Sequence, residues 1–121
     1  MNITFVITNN LMDLSKVREA ETRVLNDVET STNLDRLIHT FSAGPGDRKF
    51  HIILDYFLYE KDGLDTIRQI IEEPARRYKV SGIKYSSFVP HEKIDELCAQ
   101  HPDINFIPRS KFFKDITKHI S

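Results

Sequence analysis

Residues 52–70 read IILDYFLYEKDGLDTIRQI, and the fold turns on this stretch. With Phe50 and His51 before it, FHIIL over residues 50–54 is a short apolar run of the kind buried on both faces of a parallel sheet. Asp55 follows immediately. An ionisable group at the end of a buried strand either faces a crevice or needs a partner. Asp62-Gly63 then opens a helix whose Leu64, Ile67, Ile70 and Ile71 share one face, with Pro74 near a bend or an end of it.

Working outward, the same alternation recurs. Ile3–Thr8 is a second short apolar strand, bounded by Asn9-Asn10. A helix over residues 13–26 follows, with Leu14, Val17, Ala20, Val24 and Leu25 near helical spacing and Asp13 or Ser15 placed to cap it. Val28–Thr32 is a weak strand. Leu34, Leu37, Ile38 and Phe41 mark a short helix, ended by Ala43-Gly44-Pro45-Gly46-Asp47. Beyond Pro74, Val80–Tyr85 is read as a more polar strand ending in Ser86-Ser87. Pro90 starts a helix with Ile94, Leu97 and Cys98 inward, which Pro102-Asp103 breaks. Ile104–Ile107 is the last strand, and Phe112, Phe113, Ile116 and Ile120 belong to a closing helix.

Strands alternating with helices about five times predict an α/β domain, a parallel sheet covered on both sides. Residues 1–121 hold one domain's worth of core. In such sheets polar groups at the carboxyl ends of the strands converge on one crevice. That rule gathers Asn9, Asn10, Asp55, Ser86 and Arg109.

Composition narrows the function classes. The net charge is −1, so bulk electrostatics gives no reason to expect nucleic acid or an anionic membrane as partner. No apolar run approaches the roughly 18 residues of a membrane span, and no basic region precedes the first strand as in a signal peptide. Cys98 is the single cysteine, which excludes an internal disulfide and fits a reducing, cytoplasmic setting. Cys98 and His101 could share a helix face, but no second pair stands at zinc-like spacing, so a buried cysteine and a surface histidine is the simpler reading. His39, His51, His91 and His119 show no nucleophile–base pattern. Arg76-Arg77-Tyr78-Lys79 reads as a solvated helix end, since cations are favoured there by the helix dipole.

The stretch from Ile52 to Ile70 resembles the third-strand signature of the receiver domains of bacterial response regulators: a buried strand, an aspartate, a loop, then Asp-Gly opening a helix. Leu58-Tyr59 stands where that family often has Met-Pro. Ser86 falls on the family's Thr/Ser position, Phe106 on its aromatic switch position, and Arg109 on its lysine, with Lys111 the alternative for that role. The resemblance covers nearly the whole chain in order. It implies a flavodoxin-like (βα)5 doubly wound sheet of five parallel strands in the order 2-1-3-4-5.

It also implies a chemistry. Asp55 would be the phosphoacceptor, a carboxylate nucleophile toward a histidine kinase or small phosphodonor. Ser86 would be the switch hydroxyl and Arg109 the partner of the phosphoryl group. Mg2+ would be held by Asp55, the Asn9-Asn10 pair and the Phe57 carbonyl. Asparagine brings no charge, and magnesium usually relies on carboxylates, so magnesium binding is expected to be weak or lost. Glu60 or Asp13 could compensate, but nothing in the sequence places either. Arg109 keeps the positive charge in a planar fork, which could pair with Asp55 and stand in for the metal.

The resemblance therefore implies an atypical receiver, or pseudo-receiver, acting through protein contacts. The alternative is a single-domain regulator phosphorylated on Asp55 by a histidine kinase, with no enzymatic activity beyond self-catalysis by the acceptor. Its partner, a histidine kinase or other signalling protein, would dock on the last strand and its flanking helices, where Phe106, Phe112 and Phe113 are candidate anchors. The closing segment RSKFFKDITKHI stands where a receiver of that family stops, so DNA binding through an attached helix-turn-helix is not expected. The start at Met1 is read as that of a stand-alone regulator, an excised piece being the alternative. Two rival classes are a nucleotide or flavin binder on the same architecture, which the glycine-free Thr8-Asn9-Asn10-Leu11 argues against, and an interaction module with an inert pocket.

Overall fold

The computed structural model describes residues 2–24, 27–43 and 48–121. Five strands form one parallel sheet: β1 Asn2–Ile7, β2 Asp27–Ser31, β3 Lys49–Asp55, β4 Lys84–Val89 and β5 Asn105–Pro108. Their spatial order is β2-β1-β3-β4-β5, the flavodoxin-like arrangement expected from the sequence. The central strands are the apolar ones because only they are covered on both faces. The edge strand β2 (DVETS) is half-exposed and accordingly polar.

Period-2 alternation divides the core between two layers. Ile3, Phe5 and Ile7 of β1 and Phe50, Ile52 and Leu54 of β3 face α2 (Asp35–Ser42), α3 (Leu64–Arg77) and α4 (Ile94–Gln100). Val6, Ile53, Phe88 and Ile107 face α1 (Leu11–Glu21), α5 (Arg109–Lys114) and α6 (Ile116–Ile120). On this second face the same parity puts Thr8 and Asp55 at the carboxyl end, with Ile7 paired to Leu54 just before them.

Several boundaries differ from the sequence expectation. The fourth strand is Lys84–Val89, not Val80–Tyr85. Val80 instead closes α3, its amide donating to the Ala75 carbonyl at 2.8 Å, and Gly82 turns the chain with φ +72°. The polar Ser86-Ser87 pair looked like a strand end, yet both side chains are fully buried inside β4 and both hydroxyls are bonded. Ser86 Oγ lies 2.7 Å from His51 Nε2, and Ser87 donates to the Leu54 carbonyl at 2.8 Å. Since that bond takes the one Ser87 hydrogen, the buried Tyr59 hydroxyl donates to Ser87 Oγ at 2.7 Å.

Pro74 sits in the last turn of α3. Pro90 precedes a short 3-10 turn, His91–Lys93, before α4 begins at Ile94. The closing helix is two short ones separated at Asp115. Cys98 is exposed rather than inward. Leu25 and the breaker residues 44–47 lie outside the described residues.

Candidate functional site

Asp55 is the last residue of β3, and its side chain is almost wholly buried. Each carboxylate oxygen accepts one hydrogen bond. Thr8 Oγ1 donates to Oδ2 at 2.6 Å, and the Phe57 amide donates to Oδ1 at 3.2 Å. Thr8 Oγ1 in turn accepts from the Asn10 amide at 3.2 Å. Burial raises the Asp55 pKa above the ordinary carboxylate range, and the bonds from Thr8 and Phe57 oppose that rise.

A second buried acid stands beside it. Asp13, in the first turn of α1, is 3% exposed. The Arg109 guanidinium reaches both carboxylates: Nη2 contacts Asp13 Oδ2, and Nη1 lies 3.7 Å from Asp55 Oδ1. Arg109 is the first residue of α5, directly after β5 ends at Pro108, so its side chain starts at the same edge of the sheet as Asp55. The rings of Phe88 and Phe113 lie 5.4 and 5.0 Å from the guanidinium carbon and hold the fork in place. Burial lowers the basicity of Arg109. Its Nη1 is buried with no hydrogen-bond partner among the described residues.

The two asparagines do other work. Asn10 caps α1, its Oδ1 accepting from the Met12 and Asp13 amides at 3.0 and 3.3 Å. The cap is therefore Asn10, where the sequence had suggested Asp13 or Ser15. Asn9 is exposed. The residue paired with Asp55 on β4 is Phe88, so Ser86 lies two residues, about 7 Å of strand, toward the amino end. Ser86 therefore faces His51, and the hydroxyl beside Asp55 is Thr8. This placement corrects the expectation of Ser86 at a strand end. Its cause is the shifted strand.

Phe106 is buried in the α2–α4 layer, on the face opposite Asp55, with its ring 6.3 Å from that of His101. Phe57 contributes its amide to Asp55 while its ring is exposed.

Sequence reading brought Asp55 and Arg109 to one site and missed the roles of Thr8 and Asp13. Signals for both existed. Thr8 shares the face of Val6 by strand parity. Asp13 lies four residues before Val17, at the head of the buried stripe of α1, where an acid needs a cation.

A divalent cation does not fit this arrangement. The Asn10 oxygen is engaged by helix amides, and a guanidinium lies against both acids. Among the described residues no group of three His, Cys, Asp or Glu side chains could hold a metal ion. No helix of the described residues is long and apolar enough to cross a membrane. No protein-family model matches the chain, and neither a curated protein nor a solved structure matches it.

Proposed function

We propose that this chain is an atypical receiver, a signalling domain that acts through protein contacts and holds its acidic pocket neutralised from within. The observation that carries this reading is Arg109 set between Asp13 and Asp55, at the carboxyl end of a 2-1-3-4-5 sheet. Phosphoryl transfer to an aspartate depends on electrostatic stabilisation of the incoming group. Here the cation near Asp55 is a side chain, and both Asp55 oxygens already accept hydrogen bonds.

A contact role also draws support from the rim. Leu11 and Met12 are each 73% exposed and Phe57 is 57% exposed, beside the strand ends that carry Thr8 and Asp55. Exposed apolar side chains grouped at a site mark interaction surfaces. A histidine kinase or another signalling protein of the cytoplasm is the kind of partner that goes with this reading. Of the three aromatic anchors considered on the β5 side, Phe106 and Phe112 are core residues and Phe113 is half-buried.

The second reading, favoured by the place of Asp55 at the end of β3, is a regulator phosphorylated there. The test is an amide NMR spectrum recorded with acetyl phosphate or beryllofluoride at millimolar magnesium. Under the first reading the signals of Thr8, Phe57, Phe88 and Phe106 stay in place. A response that vanishes in Asp55→Asn overturns it in favour of the second.

A further inference from the structure

A cleft of about 380 Å3 lies between α2 and α3, over the end of β1. Leu34 caps α2 and Ile38 stands one turn further on, while Thr66 and Ile70 stand one turn apart along α3. Ile7 and Ile67 are buried beneath them, and Leu34 and Leu58 pack against the same layer of the core. Walls and floor therefore share the side of the sheet that Leu54 faces and that Asp55, by strand parity, does not. Ile70 is 47% exposed, a large apolar side chain left half in water. Sites for small organic ligands are mostly apolar clefts of about 300–1,000 Å3 with a few polar groups, and this cleft has that size and lining.

Its charge has one sign. Among the described residues Asp35 and Asp62 line the cleft, and no Lys, Arg or His does. Neither carboxylate has an ion-pair partner among the described residues. Both stand at helix starts: Asp35 is the first residue of α2, and Asp62 directly precedes Gly63, the cap of α3. A helix N-terminus carries roughly +0.5 of a charge, so the two dipoles offset about half of the two carboxylates and about one negative charge is left. The Thr66 hydroxyl donates to the Asp62 carbonyl at 2.9 Å and the Tyr59 hydroxyl to Ser87, so neither hydrogen serves the carboxylates. An organic anion is repelled here, and a neutral apolar molecule leaves the charge unmatched. An aliphatic cation meets both the charge and the apolar wall.

We propose that this cleft binds a small aliphatic amine, its ammonium group held by Asp35 and Asp62 and its chain lying against Ile38 and Ile70. The site stands apart from Asp55 and does not rest on the receiver reading. Titration of the full chain with hexylammonium, hexanol, hexanoate and methylammonium at constant ionic strength and neutral pH, followed by amide NMR, tests it. The expected result is a saturable shift at Leu34, Ile38, Gly63 and Ile70, tightest with hexylammonium and weakest with hexanoate. In Asp35→Asn/Asp62→Asn the affinity for hexylammonium falls at least about threefold, the scale of two exposed ion pairs, while that for hexanol is unchanged. In Ile70→Ser the affinity falls for both. Shifts that do not saturate, that hexanol or methylammonium reproduces at the same concentration, or that keep their affinity in Ile70→Ser overturn the proposal. Sedimentation equilibrium showing a dimer that Ile70→Ser disperses overturns it as well, pointing to a second copy of the chain as the occupant.

Discussion

Replacing Arg109 by Met removes the guanidinium and keeps an unbranched stem to pack on Phe88 and Phe113. The substitution leaves Asp13 and Asp55, 5% and 3% exposed at their side chains, without a cation. Breaking a buried ion pair from one side costs about 3–5 kcal/mol, because the remaining charge is stranded. The lower figure applies here: Arg109 itself is 30% exposed, and Asp55 keeps its bonds from Thr8 and Phe57. With an unfolding entropy of about 2.1 cal/mol/K per residue over 121 residues, about 3 kcal/mol lowers Tm by about 12 °C.

The deficit also has a pH signature. Stranded buried carboxylates take up protons more readily, so their folded-state pKa values rise. The variant is then closest to the parent near pH 4 and furthest from it at pH 7. Calorimetry across that range, repeated in an Asp13→Asn background, is the assay. A loss below about 3 °C at pH 7, or one of equal size when Asp13 is already gone, would refute the claim that the guanidinium balances these acids.

Three further outcomes follow from the geometry. His51 has its folded pKa lowered from 6.5 to about 4, so its contribution is present above pH 6.5 and is lost as pH falls toward 4. The shift corresponds to about 3 kcal/mol, and to roughly half of that after allowance for its partial exposure. His51→Gln should flatten the acid limb of the stability curve, and an NMR titration of the parent showing His51 ionising near 6.5 contradicts the argument. For Asp55 the sign is opposite: burial raises its pKa, so its contribution is largest at low pH and declines as pH rises through the folded value. Asp55→Asn should therefore gain on the parent between acid and neutral pH in thermal melts, and a widening deficit at neutral pH is incompatible with this. Asn10→Ala removes the α1 cap and should cost about 1 kcal/mol, or about 4 °C, in the same melts. No change there indicates that the cap carries no stability.

Much of the architecture was legible because it rests on local pattern. FHIIL and ITFVIT are buried on both faces, and the intervening helices show their stripes. The strand order agreed with the expectation drawn from the resemblance. The fourth strand was misplaced because polarity was read as exposure. Ser86 and Ser87 are buried only because His51, Tyr59 and the Leu54 carbonyl meet them, and those partners lie 28 or more residues away.

The site divides the same way. The chain order alone fixed Asp55 at the end of a buried strand, since an apolar run of that length followed by an acid has few other placements. Only the tertiary structure decided what surrounds it. Thr8 just after β1, Asp13 in α1 and Arg109 in α5 lie on different segments of the chain, and their meeting depends on strand register and on the seating of α1 and α5 against one face. Local sequence sets which side chains are turned inward. Which charges then face each other is set by long-range packing, because electrostatic pairing depends on distance in space and not along the chain.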